Sequence, residues 1–195
     1  MPQRVALAPA SLWRLTDEML LICSSAEEGR LFEAATALAF FACLRAGEVA
    51  LPNRDAPPKL RRDAVQVSPT KLRITVAHSK SSAFAPVKIN LPRGNAEIEK
   101  LVQSLERYSA ESRRGGEGAA FFRHTDGRPL TKFQLEVLFR RAATAAQIPP
   151  QVSPHSLRIS GANYWASTGI SFEDLKKVGR WRSSAYKRYL RPTTV

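Results

Sequence analysis

The spacing of apolar residues changes twice along this chain of 195 residues, from helical to alternating and back to helical. From Ser11, a possible N-cap, apolar residues recur every three or four positions, which predicts a first helix. A second helix is predicted over 27–45. Its stretch AATALAFFACL is apolar on nearly all sides, as expected of a helix inside the core.

The middle of the chain alternates between apolar and polar residues in three short runs, at 63–68, 71–78 and 85–92. Alternation of this kind predicts strands, and the short connections between the runs predict an antiparallel sheet. Lys80 lies in the second of the two predicted turns.

After the third predicted strand, apolar residues again recur at helical spacing, and this pattern continues to the end of the chain. Thr131 is a candidate N-cap for one of these helices, and the predicted helices cover 96–112, 132–147, 155–168, 171–178 and 183–191. Helices on both sides of a small sheet predict an α+β fold, namely a mostly helical domain with a small three-stranded antiparallel sheet.

Charge narrows the class of partner. The chain has 30 Lys and Arg against 17 Asp and Glu, a net charge of +13, and segments 59–93 (net +7) and 158–195 (net +6) account for all of the excess. Two separate basic segments that fold into one surface would bind a polyanion, either nucleic acid or an anionic membrane.

The sequence disfavours disulfide-rich, cysteine-rich zinc-binding, membrane-spanning and secreted proteins. Two cysteines, Cys23 and Cys43, exclude a disulfide framework and a cysteine-rich zinc site, and we expect two reduced, buried thiols. The longest apolar run, 34–44, is half the length that a bilayer requires, and the N-terminus has no clear secretion signal. We therefore predict an intracellular protein, in the cytoplasm or nucleoid of a prokaryote or in the nucleus of a eukaryote.

Four segments carry candidate chemistry. Taken alone, each has an ordinary explanation: an ion pair within LRAGEVALP, a solvated pair in HSLR, a solvated Lys80, and a basic amphipathic helix in GRWRSSAYKRYLRP. An arginine close to a core helix needs a partner, and Glu48, three residues after Arg45, could supply it.

Taken together and in this order, the four segments resemble the catalytic domain of the tyrosine recombinases, the phage integrase family. The likeness runs from about Ser11 to Arg191, and it includes FFRHTDGRPLTKFQLEVLFRRAATAAQI, which is similar to the connecting segment and helix of that family. The resemblance implies a site-specific DNA recombinase or integrase of a mobile element, acting on double-stranded DNA without metal or cofactor. It also implies a tetramer on DNA.

The resemblance assigns a role to each candidate residue. Tyr189 would attack a DNA phosphodiester and form a 3′-phosphotyrosyl link, with His155 as general base and Lys80 as general acid. Arg45 and Arg158 would bind the non-bridging oxygens of the phosphate. Glu48 would orient Arg45.

Two assignments have competitors. Tyr186 is the alternative nucleophile, but Tyr189 lies 31 residues after Arg158, close to the spacing that the family favours. The family has a histidine or tryptophan after a glycine in its last motif, whereas here Arg180 follows Gly179 and Trp181 comes next. Trp181 is preferred for that place, and Arg180 is the alternative.

The resemblance also sets expectations about domains and about other functions. We expect residues 1–10 to be a tail and 11–195 to be the catalytic domain, without the N-terminal DNA-clamping domain that is usual in the family. Two alternatives stay open: a catalytically silent DNA-binding remnant of a mobile element, and DNA relaxation like that of a type IB topoisomerase. A peripheral membrane protein is disfavoured, because the basic residues are interleaved with structured motifs.

Overall fold

The computed structural model describes residues 5–77, 85–111, 116 and 118–190. Within them the chain forms seven α-helices, a three-stranded sheet and a terminal 3₁₀ helix. The elements are α1 (Pro9–Ile22), α2 (Ala26–Phe41), α3 (Ala46–Val49), β1 (Val65–Val67), β2 (Lys71–Val76), β3 (Val87–Pro92), α4 (Ala96–Glu111), α5 (Lys132–Ala145), α6 (Ser156–Ser167), α7 (Phe172–Gly179) and the 3₁₀ helix Ser184–Arg188.

Helix α2 forms the centre of the domain, as its apolar sequence predicts. Ser25 caps its N-terminus by accepting a hydrogen bond from the Glu28 N–H, and the helix packs against α1, α4 and α6. The prediction that it continues to residue 45 was wrong. The helix ends at Phe41 because Cys43 adopts a left-handed backbone conformation with φ of 48°, which takes the chain out of the helix.

The first helix begins earlier than the sequence suggested, since Ala8 and not Ser11 is its N-cap. Pro9 occupies the first helical position, where the missing N–H of proline costs no hydrogen bond. The preceding residues Ala6 and Leu7 are buried, and the Leu7 N–H donates to Ser160 Oγ at 2.8 Å. This part of the expected tail therefore belongs to the folded domain.

The three strands form an antiparallel sheet in the order β1-β2-β3, as predicted. In its register Ile74 lies opposite Val65 on one side and Ile89 on the other. Alternate residues of β2 and β3 are buried, and β3 contacts α7. The predicted turn that contains Lys80 lies outside the described residues.

Two more predictions concern the last third of the chain. Thr131 caps α5 as expected, and the cap is reciprocal: Thr131 Oγ1 accepts from the Gln134 N–H, and Gln134 Oε1 accepts from the Thr131 N–H. The predicted helix over 183–191 is instead a short 3₁₀ helix, Ser184–Arg188. No helix in the described part of the chain is long and apolar enough to cross a membrane.

Helix α6 crosses α2 at very close range, and this contact positions the site. A Cβ atom on Gly161 would lie 1.9 Å from the carbonyl oxygen of Phe40, so only glycine allows the approach. Trp165 Nε1 donates to the carbonyl of Phe41 at 2.6 Å. The middle and second half of α6 are thereby held against the end of α2, a few residues before Arg45.

Candidate active site

Arg45 and Glu48 form the ion pair that their spacing predicted. Arg45 is the N-cap of α3, and Glu48 Oε2 accepts a hydrogen bond from its backbone N–H at 2.8 Å. The second carboxylate oxygen, Oε1, accepts from Arg45 Nη1 at a longer distance, 3.3 Å. Glu48 is buried, whereas 36 % of the Arg45 side chain is exposed. A ligand in solvent can therefore reach Arg45.

Arg180 binds the same carboxylate. It follows the last residue of α7 in a left-handed conformation with φ of 58°, and this turns its side chain into the protein. Arg180 Nη2 donates to Glu48 Oε2 at 2.6 Å, and only 3 % of the Arg180 side chain is exposed. Arg180 is therefore paired with Glu48 and removed from solvent, whereas the other candidate of the last motif, Trp181, lies beside Arg158.

Arg158 lies in the first turn of α6 and is 1 % exposed. Its Nη1 donates to the carbonyl of Cys43 and its Nη2 to the carbonyl of Gly179, both at 2.6 Å. These acceptors come from the chain just after α2 and from the last residue of α7, where helix ends leave carbonyls without helical partners. Arg158 therefore ties three segments together, a role that the sequence did not indicate.

Two aromatic rings lie next to the Arg158 guanidinium, and we call Trp181 and Tyr189 the aromatic cover. The guanidinium carbon is 5.0 Å from the centre of the Trp181 ring and 5.8 Å from that of Tyr189, and the two rings are 5.2 Å apart. Distances of this order allow cation–π attraction. Asn163 Nδ2 holds the tyrosine segment by donating to the Tyr189 carbonyl at 2.6 Å.

The last residue of α7, Gly179, must be glycine because the Trp181 ring of the aromatic cover packs directly against it. A Cβ atom on this residue would lie 1.8 Å from the Trp181 ring. The sequence singled out this glycine only as a marker of the last motif, and nothing in it indicated Asn163. The absence of a side chain at Gly179 lets Trp181 pack beside Arg158.

The competing tyrosine, Tyr186, has different surroundings. Its side chain is buried and packs against Phe172 and Trp181, with ring centres 5.8 Å and 6.4 Å apart. Tyr186 therefore packs in the interior of the domain. Tyr189, by contrast, lies beside Arg158 and is only partly buried.

The last two candidate catalytic residues, His155 and Lys80, have fewer described contacts than the others. His155 is the N-cap of α6, is exposed, and precedes Arg158 by one helical turn. Lys80 lies outside the described residues, so the structure places five of the six predicted catalytic residues, and Glu48 and Arg180 with them.

The electrostatic balance of the cluster is positive. Glu48 forms ion pairs with Arg45 and Arg180, and in the described part of the chain it is the one carboxylate whose charge affects the pKa of Arg158 or Arg180. Burial lowers the pKa of Arg158, and the charge of Arg45 lowers it further. Burial also lowers the pKa of Arg180, while Glu48 raises it. Arginine stays charged despite such shifts, so the cluster has an excess of positive charge.

Several hydrogen-bond donors of the cluster have no acceptor. Arg158 Nε, Arg180 Nε and Trp181 Nε1 are buried and have no hydrogen-bond partner among the described residues. Buried donors without partners are rare in folded proteins and call for an explanation. Unpaired donors together with excess positive charge are what a binding site for an oxyanion requires.

The fold is similar to those of solved recombinase and integrase structures. XerH site-specific recombinase, in a post-cleavage complex with palindromic difH substrate, matches with a TM-score of 0.69 and 15 % identity, over 95 % of this chain and 49 % of the XerH chain. The lambda integrase catalytic core matches with a TM-score of 0.61 and 19 % identity, over 93 % of this chain and 94 % of that one. A lambda integrase tetramer bound to a Holliday junction gives a TM-score of 0.67 and 17 % identity, over 98 % of this chain and 49 % of that one.

These similarities confirm the predicted fold, that of a tyrosine recombinase catalytic domain. The chain spans about half the length of the XerH protein that it matches. A search of curated protein sequences finds no match. A sequence model described as the phage integrase family matches residues 27–194, which cover every candidate site residue. The chain therefore belongs to the phage integrase family.

Proposed function

We propose that this chain is the catalytic domain of a site-specific DNA recombinase or integrase, which cleaves and rejoins DNA strands through a 3′-phosphotyrosyl intermediate on Tyr189. One observation carries the proposal: Tyr189 lies beside a cluster with three guanidiniums, one carboxylate and unpaired buried N–H donors. A phosphodiester brings the negative charge and the acceptor oxygens that this cluster lacks.

The proposed reaction needs no net input of energy. The Tyr189 oxygen attacks the phosphorus, the bond to the 5′-oxygen breaks, and the leaving 5′-oxygen takes up a proton. The phosphotyrosyl ester replaces the phosphodiester, so the reverse attack by a 5′-hydroxyl restores a continuous strand. In this scheme His155 accepts the tyrosine proton and Lys80 protonates the leaving oxygen, as the family resemblance implies.

The arginines would stabilise the charge that develops on the phosphate. Arg45 is the one that a phosphate can approach directly, since 36 % of its side chain is exposed. Arg158 is covered by Trp181 and Tyr189, and its two Nη atoms are bonded to backbone carbonyls. A phosphate can therefore reach Arg158 only after the aromatic cover moves, and we propose that DNA binding displaces it.

Double-stranded DNA is the proposed partner. XerH and lambda integrase were solved bound to DNA, the latter as a tetramer on a Holliday junction, and the net charge of +13 favours a polyanion. We propose that this domain also acts as an oligomer on DNA. Activity on DNA further implies a location in the compartment that holds it.

The test is covalent capture of DNA. A library of nicked duplexes with a randomised core supplies every target sequence, and a nick near the cleavage site lets the short leaving strand diffuse away. Adducts that survive denaturing washes are then quantified for the wild type, for Tyr189→Phe and for the matched variant Tyr186→Phe. We expect adducts with the wild type, none with Y189F, and adducts with any folded Y186F protein.

The result also separates the alternatives. DNA binding without any adduct would mean a silent binding remnant and would overturn the proposed chemistry. Adducts that persist in Y189F but vanish in Y186F would assign the nucleophile to Tyr186. Relaxation of supercoiled plasmid without joining of two DNA sites would favour the topoisomerase-like reaction.

A further inference from the structure

Arg180 has an unusual position for a buried arginine. Arg180 follows the last residue of α7 in the left-handed region, where glycine is the usual choice and other residues cost about 1 kcal/mol. Its side chain is 3 % exposed, so it cannot contact DNA in this conformation. Its Nη2 donates to Glu48, 132 residues earlier in the chain, at 2.6 Å, and its Nη1 donates to the Ala42 carbonyl at the longer distance of 3.5 Å.

The carboxylate of Glu48 is divided unequally between two arginines. Oε2 accepts from Arg180 Nη2 at 2.6 Å and from the Arg45 backbone N–H at 2.8 Å. The Arg45 guanidinium has only the 3.3 Å contact to Oε1. Arg180 therefore provides most of the side-chain pairing of this buried charge, and Arg45 is held mainly through its backbone.

This division matters for a phosphate ligand. A buried carboxylate needs a partner, and arginine pairs best with it through two parallel hydrogen bonds. If Arg180 were absent, Arg45 would be the cation left to neutralise Glu48. The N–H groups that a phosphate needs would then be bonded to the carboxylate instead.

We propose that Arg180 is a positioning residue: it neutralises Glu48 so that the Arg45 guanidinium stays available for the DNA phosphate. The proposal rests on the proposed function, because it assumes that Arg45 binds phosphate. Arg180 acts through Glu48 and touches no substrate. In this proposal Arg180, between Gly179 and Trp181, supplies a second cation to the carboxylate of the first arginine motif.

The test compares Arg180→Met with the double variant Arg180→Met/Glu48→Gln. DNA affinity is measured over a range of salt concentrations, and the rate of adduct formation is measured at saturating DNA. In R180M we expect the salt dependence of binding to fall by about one phosphate contact, although Arg180 itself is buried. We also expect cleavage to slow by about tenfold or more.

Rescue by the second substitution distinguishes positioning from a merely structural role. In R180M/E48Q no buried carboxylate competes for Arg45, so the salt dependence and most of the cleavage rate should return. Arg180→Lys, which keeps the charge, should retain the salt dependence of the wild type. If R180M folds poorly, comparison of the double variant with wild type still decides: a lost phosphate contact there overturns the proposal.

Arg107→Met is the matched control. Arg107 also pairs with a buried carboxylate, Glu33, at 2.9 Å, but it does so between α4 and α2. R107M should be destabilised without a change in the salt dependence of DNA binding.

An unchanged salt dependence of DNA binding in R180M, or a double variant that behaves like R180M, overturns the proposal. If the wild type binds DNA but forms no adduct, the proposed function fails while the binding measurements still decide the role of Arg180; a wild type that does not bind DNA overturns both.

Discussion

The guanidinium carbon of Arg158 lies 5.0 Å from the centre of the Trp181 ring. Arg158 comes from the first turn of α6 and Trp181 follows α7, so this contact joins two of the sequence motifs through one cation and one ring. The Trp181 Nε1 atom is buried and has no acceptor among the described residues. Trp181 therefore offers two separate features, a ring that packs on Arg158 and a donor that a bound oxyanion can use.

Substitution of Trp181 should separate these two features. Trp181→Phe keeps an aromatic ring but removes the N–H, so we expect near wild-type stability and cleavage slower by about tenfold or more. Trp181→Ala removes the ring as well and should also lower the free energy of unfolding by about 2 kcal/mol. Urea unfolding and the rate of adduct formation measure the two effects. Equal cleavage by W181F and wild type would mean that Nε1 does not bind the phosphate.

Gly179→Ala should damage the same contact from the other side. The new Cβ atom would lie 1.8 Å from the Trp181 ring, so the ring must leave its place beside Arg158. We expect a loss of about 2 kcal/mol in the free energy of unfolding, and strongly reduced cleavage. The cost should largely disappear when Trp181 is already alanine, because nothing is left to collide with. Urea unfolding of the four proteins in this double-mutant cycle tests the coupling, and additive effects would contradict it.

The part of the site that was predictable depends on short spacings. The Arg45–Glu48 pair lies within four residues, so the sequence already implied that one could satisfy the charge of the other. The burial of α2 followed from its apolar composition. Both features are local, and local patterns are readable without a structure.

The parts that were missed depend on backbone atoms and on distant partners. The acceptors of Arg158 are the carbonyls of Cys43 and Gly179, and a backbone carbonyl has no signature in the sequence. The inward turn of Arg180 requires a left-handed residue and a partner 132 positions away. Neither can be inferred from the motif that contains Arg180, so the sequence alone offers both Trp181 and Arg180 for one place.

Substitution of Gly161 should show whether the stability of the domain depends on the close contact between α2 and α6. In Gly161→Ala the Cβ atom would lie 1.9 Å from the Phe40 carbonyl oxygen, so the two helices must separate. We expect a loss of about 3 kcal/mol in the free energy of unfolding. Gly47→Ala is the matched control: the nearest atom to its Cβ is Lys132 Cδ at an ordinary 3.7 Å, and alanine favours a helix. Urea unfolding that shows similar stability for both variants would contradict this account of the helix crossing.

The last prediction concerns the pH dependence of stability through Glu33 on α2. Burial raises the pKa of this carboxyl above its ordinary value of 4.5, Asp17 on α1 raises it further, and Arg107 and Lys100 on α4 oppose the shift. Because the folded protein holds this proton more tightly than the unfolded chain, the contribution of Glu33 to stability is largest below pH 4.5 and falls as the pH rises. The neutral variant Glu33→Gln escapes this loss. The stability of E33Q relative to wild type should therefore increase from below pH 4.5 towards neutral pH.

Asp174→Asn provides a control of opposite sign in the same experiment. Hydrogen bonds from Lys177 and Ser171 lower the pKa of Asp174 below its ordinary value of 3.8. Its contribution is therefore present above that value and is lost as the pH falls through the lower pKa of the folded state. Urea unfolding of the three proteins across pH 3 to 8 should show D174N approaching wild type at the acid end, where E33Q loses its relative advantage. A constant difference between E33Q and wild type would mean that the burial of Glu33 does not shift its protonation.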